Sequence, residues 1–427
     1  MYNYHTDLVW NINIMLFCSL LALAVMIILY IAIKEYLLKW HNRVLLKVKR
    51  KLYEMTLSGE PHAGDMAFIT KANPRLFLDV ETNRNREAVF FNEAEQELFK
   101  RYFITLKMIM RLEKLARWSS NKWSRIEAIL SLGYAGASAS LPVLEKSIFS
   151  KDEDVSYFSI ISLGQIKTPL SAKILLNFLK KSAFFRYKIA SLLESFPPEA
   201  VNEIIKFTED ADPGVRFWAV KIASKFKPAD YVKKFEELTG DKSDDVRAAA
   251  CECLGNIGKK DAAKAVIRCL NDETWFVRMH AVRAISRLAG DEYMSEIAGM
   301  VNDGSLSVLD SIKDAMTDHI EVALPYIEKF FDGKYEVAKR IGVEALERAG
   351  YVEKLFKMLL SKDNKESSPA RRILEGMIRS QASIGLETAL EELDEQTRKN
   401  ILDVIKGISQ PLGSRLEKRL NKEIAEP

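Results

Sequence analysis

The sequence predicts an all-α protein: an α-solenoid of about eight to nine short helical repeats, preceded by one transmembrane helix. Two observations support this prediction. No charged residue occurs between Asp7 and Lys34, and a short motif returns about every 30 residues through most of the remaining chain. Fixed periods of this length are typical of solenoids, in which each repeat packs on its neighbours.

The apolar run at residues 12–33 fits a helix that crosses a membrane, because about 20 residues span the ~30 Å hydrocarbon core of a bilayer. Aromatic residues lie near both ends, as they do at membrane interfaces: Trp10 at the first, and Tyr30, Tyr36 and Trp40 at the second. A cleaved signal peptide is the alternative. It would need cations before a shorter apolar core and small residues at a cleavage site, and this chain has neither.

The positive charge of the chain is concentrated directly after the apolar run. Seven Lys/Arg and one acid, Glu35, give residues 34–51 a charge of +6. Since the whole chain carries +4 and Asp7 adds −1, residues 52–427 carry only about −1, and the basic excess is attributed entirely to this segment. The positive-inside rule then predicts a short extracytoplasmic tail at residues 1–11 and a cytoplasmic solenoid, in a single-pass protein of the cell inner membrane.

Residues 34–55 are predicted to continue as a basic amphipathic helix with a stripe of apolar residues on one face. Its candidate membrane-surface residues are Lys39, Arg43, Lys47, Lys49, Arg50 and Lys51. Three interpretations remain open: the helix lies on anionic lipid, its apolar stripe pairs with a partner helix or a second copy, or it is a stop-transfer flank. Residues 56–91, interrupted by Gly, Pro and Asn, are predicted to be a connector. The solenoid covers residues 92–420, beginning with Asn92 as the N-cap of a helix over 93–117.

The repeats are anchored on a Val-Arg dipeptide. Val215-Arg216, Val246-Arg247 and Val277-Arg278 are spaced 31 residues apart. Related positions are Val155, Phe185-Arg186, Val308 and Val337. The spacing predicts two helices of about 12 residues in each repeat.

Several residues have predicted roles in this packing. Ala219, Ala250 and Ala281 are small residues at equivalent places, where neighbouring helices would approach closely. Gly164 and Gly255 fall near predicted helix ends, where a left-handed residue is favoured.

The best copy of the repeat begins with Asp244-Asp245-Val246-Arg247, continues through small residues, and closes at Gly258 before an Ala-rich second helix. It resembles the short HEAT repeats of phycobilisome lyases and of many scaffold proteins, over roughly residues 120–380. The resemblance implies a stack of two-helix repeats. It leaves the function open, because proteins with these repeats have many roles.

One row of cations recurs at an equivalent place in four consecutive repeats: Arg186, Arg216, Arg247 and Arg278. This row could form a stripe that binds anions, or an Asp–Arg ladder that ties each repeat to the next. The ladder is the favoured interpretation.

No catalytic motif is found in the sequence. The five histidines are scattered, and the sequence contains no typical nucleophile, phosphate-loop or metal-site motif. Cys251 and Cys253 point apart on a helix, so they and Cys269 are predicted to be buried free thiols, and His280 is predicted to be a surface residue. We therefore expect no enzyme activity, cofactor, metal or small-molecule substrate. The near-neutral charge of residues 52–427 also argues against nucleic acid as a partner.

The leading hypothesis is a membrane-anchored scaffold or adaptor that binds a protein partner, as part of a membrane complex, on the cytoplasmic face. The alternatives are a lyase acting on a protein-bound chromophore and a nucleic-acid-binding solenoid. The candidate partner-binding residues are aromatic side chains at positions that the helical pattern places on the surface: Tyr157, Phe158, Tyr187, Phe217 and Trp218. In the alternative interpretation, these rings are covered inside the protein.

Overall fold

The computed structural model describes residues 2–58, 74–83, 89–181, 183–361, 363–380 and 384–423. Throughout these ranges the chain forms helices joined by turns, and no strand occurs in them. The predicted all-α class is therefore confirmed. The chain divides into two compact units, Met1–Pro197 and Pro198–Pro427.

The α-helices of the first unit are α1 Tyr2–Ser58, α2 Pro74–Thr82, α3 Glu93–Phe103, α4 Leu106–Trp118, α5 Lys122–Tyr134, α6 Leu141–Ile148, α7 Glu153–Ile166, α8 Pro169–Leu179 and α9 Arg186–Leu193. Those of the second unit are α10 Val201–Lys206, α11 Pro213–Phe226, α12 Val232–Leu238, α13 Asp244–Ile257, α14 Ala263–Val266, α15 Trp275–Ala289, α16 Met294–Gly299, α17 Leu306–Asp318, α18 Ile320–Asp332, α19 Glu336–Arg348, α20 Tyr351–Leu359, α21 Asn364–Arg379, α22 Ile384–Glu391, α23 Glu395–Ile408 and α24 Gln410–Glu423.

Helix α1 joins the apolar run and the basic amphipathic segment in one uninterrupted helix of 57 residues. Its apolar part is long and hydrophobic enough to cross a membrane, and the side chains from residues 12 to 40 are exposed. Farther along the same helix, Leu45, Val48 and Leu52 are fully buried. This last part of α1 packs on α3, so the apolar stripe of the amphipathic segment is covered by the chain's own helices.

The range predicted to be a connector contains a buried helix, α2. Phe77 of α2 stacks on Phe103 and Phe99 of α3, with ring centroids 4.4 and 6.2 Å away. The carboxylate of Asp79 is buried and lies 2.7 Å from Nε2 of His41 on α1. Helix α2 therefore contributes to the core of the first unit. The helix-breaking residues 59–73 and 84–88 of the predicted connector lie outside the described residues.

The helix predicted over 93–117 is two helices, α3 and α4, separated at Ile104 and Thr105. Asn92 caps α3 as predicted: its side chain accepts from the backbone N–H of Glu95, whose carboxylate accepts in return from the N–H of Asn92. Thr105 begins α4 in the same manner by accepting from the N–H of Met108. A threonine side chain that caps a helix competes with continuation of the preceding one, which explains the break.

In the second unit, the first helices of successive repeats stack in chain order, since α11 packs on α13, α13 on α15, and α15 on α17. The anchor residues Val215, Val246 and Val277 are fully buried, as are Ala219, Ala250 and Ala281 four residues later. Short 3-10 turns at Ala229–Tyr231 and Lys260–Ala262 precede α12 and α14. The repeated residues of the sequence thus form the inner layer of a helical solenoid.

The prediction that Gly164 and Gly255 are left-handed caps is wrong. Both lie inside helices, at points where a neighbouring helix comes close. A Cβ atom on Gly255 would lie 2.9 Å from Cα of Ala284, and one on Gly164 would lie 2.9 Å from a methyl carbon of Leu192. The left-handed cap of α13 is Gly258, three residues later, with a φ of 79°. Close packing therefore requires the earlier glycines, and helix termination requires the later one.

Candidate functional site

An aromatic cluster lies on the first unit, built by α7, α8 and the turns that follow α6 and α8. We define it as Phe149, Tyr157, Phe178, Phe184 and Phe185. Phe185 is its centre, with ring centroids 6.3 Å from Tyr157, 6.1 Å from Phe178 and 4.9 Å from Phe184. Phe149 meets Phe178 edge-on at 5.2 Å. The five rings therefore form one continuous set of contacts.

The aromatic cluster has an inner and an outer layer. Phe178 and Phe185 are buried, whereas Phe184 is 82% exposed, Phe149 43% and Tyr157 37%. The buried pair supports the exposed rings from below, which limits the side-chain entropy that the rings would lose on binding. Aromatic residues held in this manner are typical of sites that bind proteins. Phe149 and Phe184 could not be recognised from the sequence, because both lie in turns outside the repeat pattern.

The predicted row of aromatic residues is only partly exposed. Tyr157 and Tyr187 are exposed, and Phe158, Phe217 and Trp218 are half-buried. Tyr157 and Phe158 contact each other on α7, and Phe217 and Trp218 contact each other on α11. The first unit contains Tyr157, Phe158 and Tyr187, and the second unit contains Phe217 and Trp218. In the first unit, Tyr157 contacts the turn residue Phe185 that precedes α9.

The sequence around the cluster contains a second basic segment, so attributing the whole basic excess to residues 34–51 was wrong. Residues 155–193 contain no Asp or Glu and six cations, which gives a charge of +6. Acids elsewhere between residues 52 and 427 cancel this excess, so the net charge of that range does not reveal it. The cations are Lys167, Lys173, Lys180, Lys181, Arg186 and Lys188.

Two of these lysines lie in the turn that carries Phe184. Lys180 and Lys181 are both exposed, and Nζ of Lys181 lies 5.5 Å from the centroid of the Phe149 ring. Lys188 follows on α9 and makes no ion pair within the part of the chain that the structure describes. Exposed rings beside cations match a partner that presents apolar and acidic side chains together.

The predicted membrane-surface cations on α1 are divided between two environments. Lys39, Arg43, Lys47 and Arg50 are exposed, and Lys39 pairs with Glu35 at 2.9 Å. Lys49 faces the first unit, where its Nζ donates to the carbonyl of Phe90 and lies 5.9 Å from the Phe91 ring. Lys51 is half-buried. The exposed cations thus lie on one face of this part of α1, and the opposite face packs on the chain.

The arginine row of the second unit forms the Asp–Arg ladder. Arg247 donates from Nε and Nη2 to the two carboxylate oxygens of Asp272 at 2.7 and 2.9 Å. Arg216 binds Asp241 and Arg278 binds Asp303 with the same two-point geometry. Burial opposes ionisation of Asp272, but the hydrogen bonds from Arg247 and from the N–H of Thr274 outweigh it, and the pKa of Asp272 is lowered. These guanidinium groups hold the repeats together.

Two stretches of the repeat region match a known family model. Residues 109–194 and 232–315 match the family model described as HEAT repeats. The chain carries HEAT repeats. The first matched range includes all five residues of the aromatic cluster, and the second includes both Arg247 and Asp272. HEAT repeats form extended surfaces that bind protein partners.

Solved structures that match this chain share little sequence with it. The phycocyanin lyase complex of CpcE and CpcF from Nostoc sp. PCC7120 is 16% identical, with 62% of this chain and 94% of that chain covered and a TM-score of 0.30. Kap121p is 12% identical, with 89% and 49% covered and a TM-score of 0.45. An engineered protein is 16% identical, with 73% and 98% covered and a TM-score of 0.36. No curated protein matches the sequence.

The HEAT repeats of the second unit bury the three cysteines named in the sequence analysis. Cys251, Cys253 and Cys269 are buried, and none of them forms a disulfide. Burial raises the pKa of the Cys253 thiol to about 12, which makes this thiol a poor nucleophile. Among the described residues, no group of three His, Cys, Asp or Glu side chains is placed to hold a metal ion.

His280 is more buried than its predicted surface position implies. Its side chain is about one-quarter exposed, and Nδ1 lies 3.8 Å from a carboxylate oxygen of Glu252. Burial lowers the pKa of His280 against the opposing effect of Glu252. The side chain therefore lies between successive repeats.

Proposed function

We propose that the chain is a membrane-anchored, non-enzymatic adaptor that uses its HEAT repeats to bind a protein partner. In this proposal, α1 crosses the cell inner membrane with residues 1–11 outside. The solenoid stays on the cytoplasmic side and holds a partner that belongs to a membrane complex. The proposal combines one apolar helix with a fold that is suited to protein interaction.

The observation that carries the proposal is the continuity of α1. The exposed apolar half of α1 has no covering partner among the described residues, whereas Leu45, Val48 and Leu52 are fully buried in the first unit. A span continuous with a packed helix would hold the first unit at a defined orientation on the membrane surface. An adaptor benefits from this arrangement, because a fixed orientation raises the effective concentration of its binding surface near a membrane partner.

The surface proposed for the partner is the aromatic cluster with its adjacent lysines. Phe184 is the most exposed ring of the cluster, and Lys180 and Lys181 precede it in the same turn. We infer that the partner presents acidic and apolar side chains, since the whole of residues 155–193 lacks an acid. The rings would supply the affinity, and the lysines would speed the encounter.

The membrane part of the proposal is tested by topology. Alkaline phosphatase fused after Pro427 of the full chain should be inactive, and a fluorescent protein at the same place should be bright. The chain should remain with the membranes after alkaline carbonate extraction and keep its full length. An active phosphatase would reverse the orientation, and a shortened chain in the soluble fraction would identify residues 12–33 as a cleaved signal peptide.

The partner surface is tested by exchanging one exposed ring. Proteins cross-linked to the full chain in intact cells are compared for the wild type, Phe184→Ala and the control Phe90→Ala. Phe90 is 54% exposed in the same unit and lies outside the aromatic cluster. Losing one partner only in Phe184→Ala, with an unchanged melting temperature, supports the surface. Equal recovery of that partner by both variants would show that the aromatic cluster does not bind it.

A further inference from the structure

A cleft lies where the apolar half of α1 ends, between α1 and the start of α2. Its volume is about 440 Å³. One wall consists of apolar side chains of α1, among them Ile33 and Leu37, and this wall is continuous with the exposed apolar surface of residues 12–33. Tyr30 and Trp40 line the same cleft. Aromatic residues of this kind are typical of the level at which lipid headgroups meet the hydrocarbon core.

The polar end of the cleft is cationic. Lys34, the first charged residue after the apolar run, lines it from α1, and Arg75 lines it from α2. Among the residues that the structure describes, no acidic side chain lines the cleft. His41 also reaches it, but its Nε2 atom lies 2.7 Å from the buried carboxylate of Asp79. The nearby Glu35 pairs with Lys39. Two cations therefore face the cleft, and no acid is present among its described lining residues.

Packing fixes the position of Arg75. Between Pro74 and Val80 every residue of α2 is buried except Arg75, which is exposed. The helix is held by the stacking of Phe77 on α3 and by the contact of Asp79 with His41. The backbone of α2 thus places the Arg75 guanidinium at a fixed position beside α1. A guanidinium binds two phosphate oxygens at once, and a lysine ammonium adds a point charge.

We propose that this cleft binds the headgroup of an anionic phospholipid. The phosphate binds between Lys34 and Arg75, and the acyl chains follow the apolar wall of α1 towards the bilayer. The inference rests on the proposed membrane span, because only then does the cleft lie at headgroup level. The apolar wall alone would equally suit a partner helix. The two cations, with no acid among the described residues that line the cleft, favour the lipid.

The test measures lipid binding to the detergent-solubilised full chain by native mass spectrometry, with phosphatidylglycerol and phosphatidylcholine as probes. The wild type should bind phosphatidylglycerol about tenfold more tightly than phosphatidylcholine. Arg75→Gln and Lys34→Gln should each remove most of this preference. Arg43→Gln is the matched control, since Arg43 is an exposed cation of α1 that does not line the cleft, and it should keep the preference.

Three outcomes would overturn the inference. Equal binding of both lipids by the wild type means that the cleft does not select an anionic headgroup. An equal loss in Arg43→Gln and Arg75→Gln means that the attraction is spread over the whole basic flank. Displacement of phosphatidylglycerol by glycerol 3-phosphate means that the cleft takes a free phosphate. Carbonate extraction distinguishes failure of the lipid site from failure of the proposed anchor. A chain that stays in the membrane but shows no lipid preference refutes only the lipid site.

Discussion

The single guanidinium of Arg247, on α13, binds two aspartate residues of the second unit. It binds both carboxylate oxygens of Asp272 and donates from Nη1 to the carbonyl of Asp241 at 3.0 Å. Asp241 in turn accepts from Arg216 of the preceding repeat. Each aspartate also accepts from a backbone N–H two residues later, as Asp272 does from Thr274. One residue pair per repeat thus joins a helix, a turn and the neighbouring repeat.

Removing one arginine should destabilise the second unit. Arg247→Ala leaves the carboxylate of Asp272, whose side chain is 11% exposed, without its guanidinium, and we expect a loss of about 2–3 kcal/mol in the free energy of unfolding. The control is Arg348→Ala, which removes an exposed pair with Asp314 and should cost less than about 1 kcal/mol. Urea unfolding followed by circular dichroism measures both, and equal losses would refute a special role for the ladder.

The ladder also predicts an acid dependence of stability. Because the folded state lowers the pKa values of Asp241, Asp272 and Asp303, the stabilisation is present above the ordinary aspartate pKa of about 3.9 and is lost as the pH falls through the lowered values. Wild-type stability should therefore fall between about pH 5 and pH 2, and Arg247→Ala should lose less over this window. Parallel pH profiles for the two proteins would contradict this explanation.

Glu81 of α2 predicts the opposite pH dependence in the first unit. Burial raises its pKa to about 7, and its Oε1 atom has no hydrogen-bond partner within the described part of the chain. An acid with a raised pKa lowers stability as the pH rises from about 4.5 to 7. Glu81→Gln should raise the free energy of unfolding by about 1–2 kcal/mol at pH 8, after discounting its partial exposure, and change little at pH 4. The exposed Glu54→Gln is the control, and an equal gain there would contradict the prediction.

Helices approach each other closely at several glycines within the repeats. Gly133 of α5 faces Ser162 of α7, Gly164 of α7 faces Leu192 of α9, and Gly255 of α13 faces Ala284 of α15. At Gly133 and Gly255, the nearest atom to an added Cβ belongs to the backbone of the neighbouring helix. Backbone cannot move away as a flexible side chain can, so these two glycines set the spacing between helices.

Alanine at Gly255 should therefore destabilise the protein although alanine favours helix. We expect Gly255→Ala to lower the free energy of unfolding by about 1–3 kcal/mol, because the backbones of α13 and α15 must separate. The control is Gly407→Ala in α23, where an added Cβ meets no atom within 4 Å. This change should stabilise the protein by about 0.5–1 kcal/mol. Thermal unfolding of both variants tests this prediction. A stabilising effect of Gly255→Ala would refute the close contact.

At the scale of the whole molecule, the last part of α1 belongs to the core of the first unit. Leu45, Val48 and Leu52 of α1 are fully buried, and each such side chain contributes about 1.5–3 kcal/mol. A fragment of residues 95–427 contains the predicted repeats but lacks this part of α1 and all of α2. A fragment of residues 41–427 retains both and lacks residues 1–40, which include the exposed apolar run. The two fragments therefore test where the first unit begins.

We expect residues 41–427 to form a soluble helical protein whose first unit melts roughly 10 °C or more above that of residues 95–427. The second unit, Pro198–Pro427, serves as the internal control, because its transition should be the same in both fragments. Calorimetry measures the transitions. Identical melting of the two fragments would mean that α1 and α2 add nothing to the first unit.

The sequence by itself determined the class and the period of this protein. Repeated Val-Arg anchors, small residues such as Ala250, and an uncharged run of membrane length depend on local spacing, and local spacing can be read without coordinates. The Asp–Arg ladder was also predictable, since its partners recur at a constant separation of 25 residues.

Only the tertiary structure decided what these elements contact. The apolar stripe of α1 has the same pattern whether it meets lipid, a partner or its own chain. The structure shows that this part of α1 packs on α3 and contacts α2 through His41 and Asp79. Gly255 is near enough to a helix end to resemble a cap, and only the distance to Ala284 identifies it as a contact. Phe149 and Phe184 lie in turns and Arg75 lies in the first turn of α2, all outside any period. Their grouping depends on long-range packing, which a one-dimensional pattern does not contain.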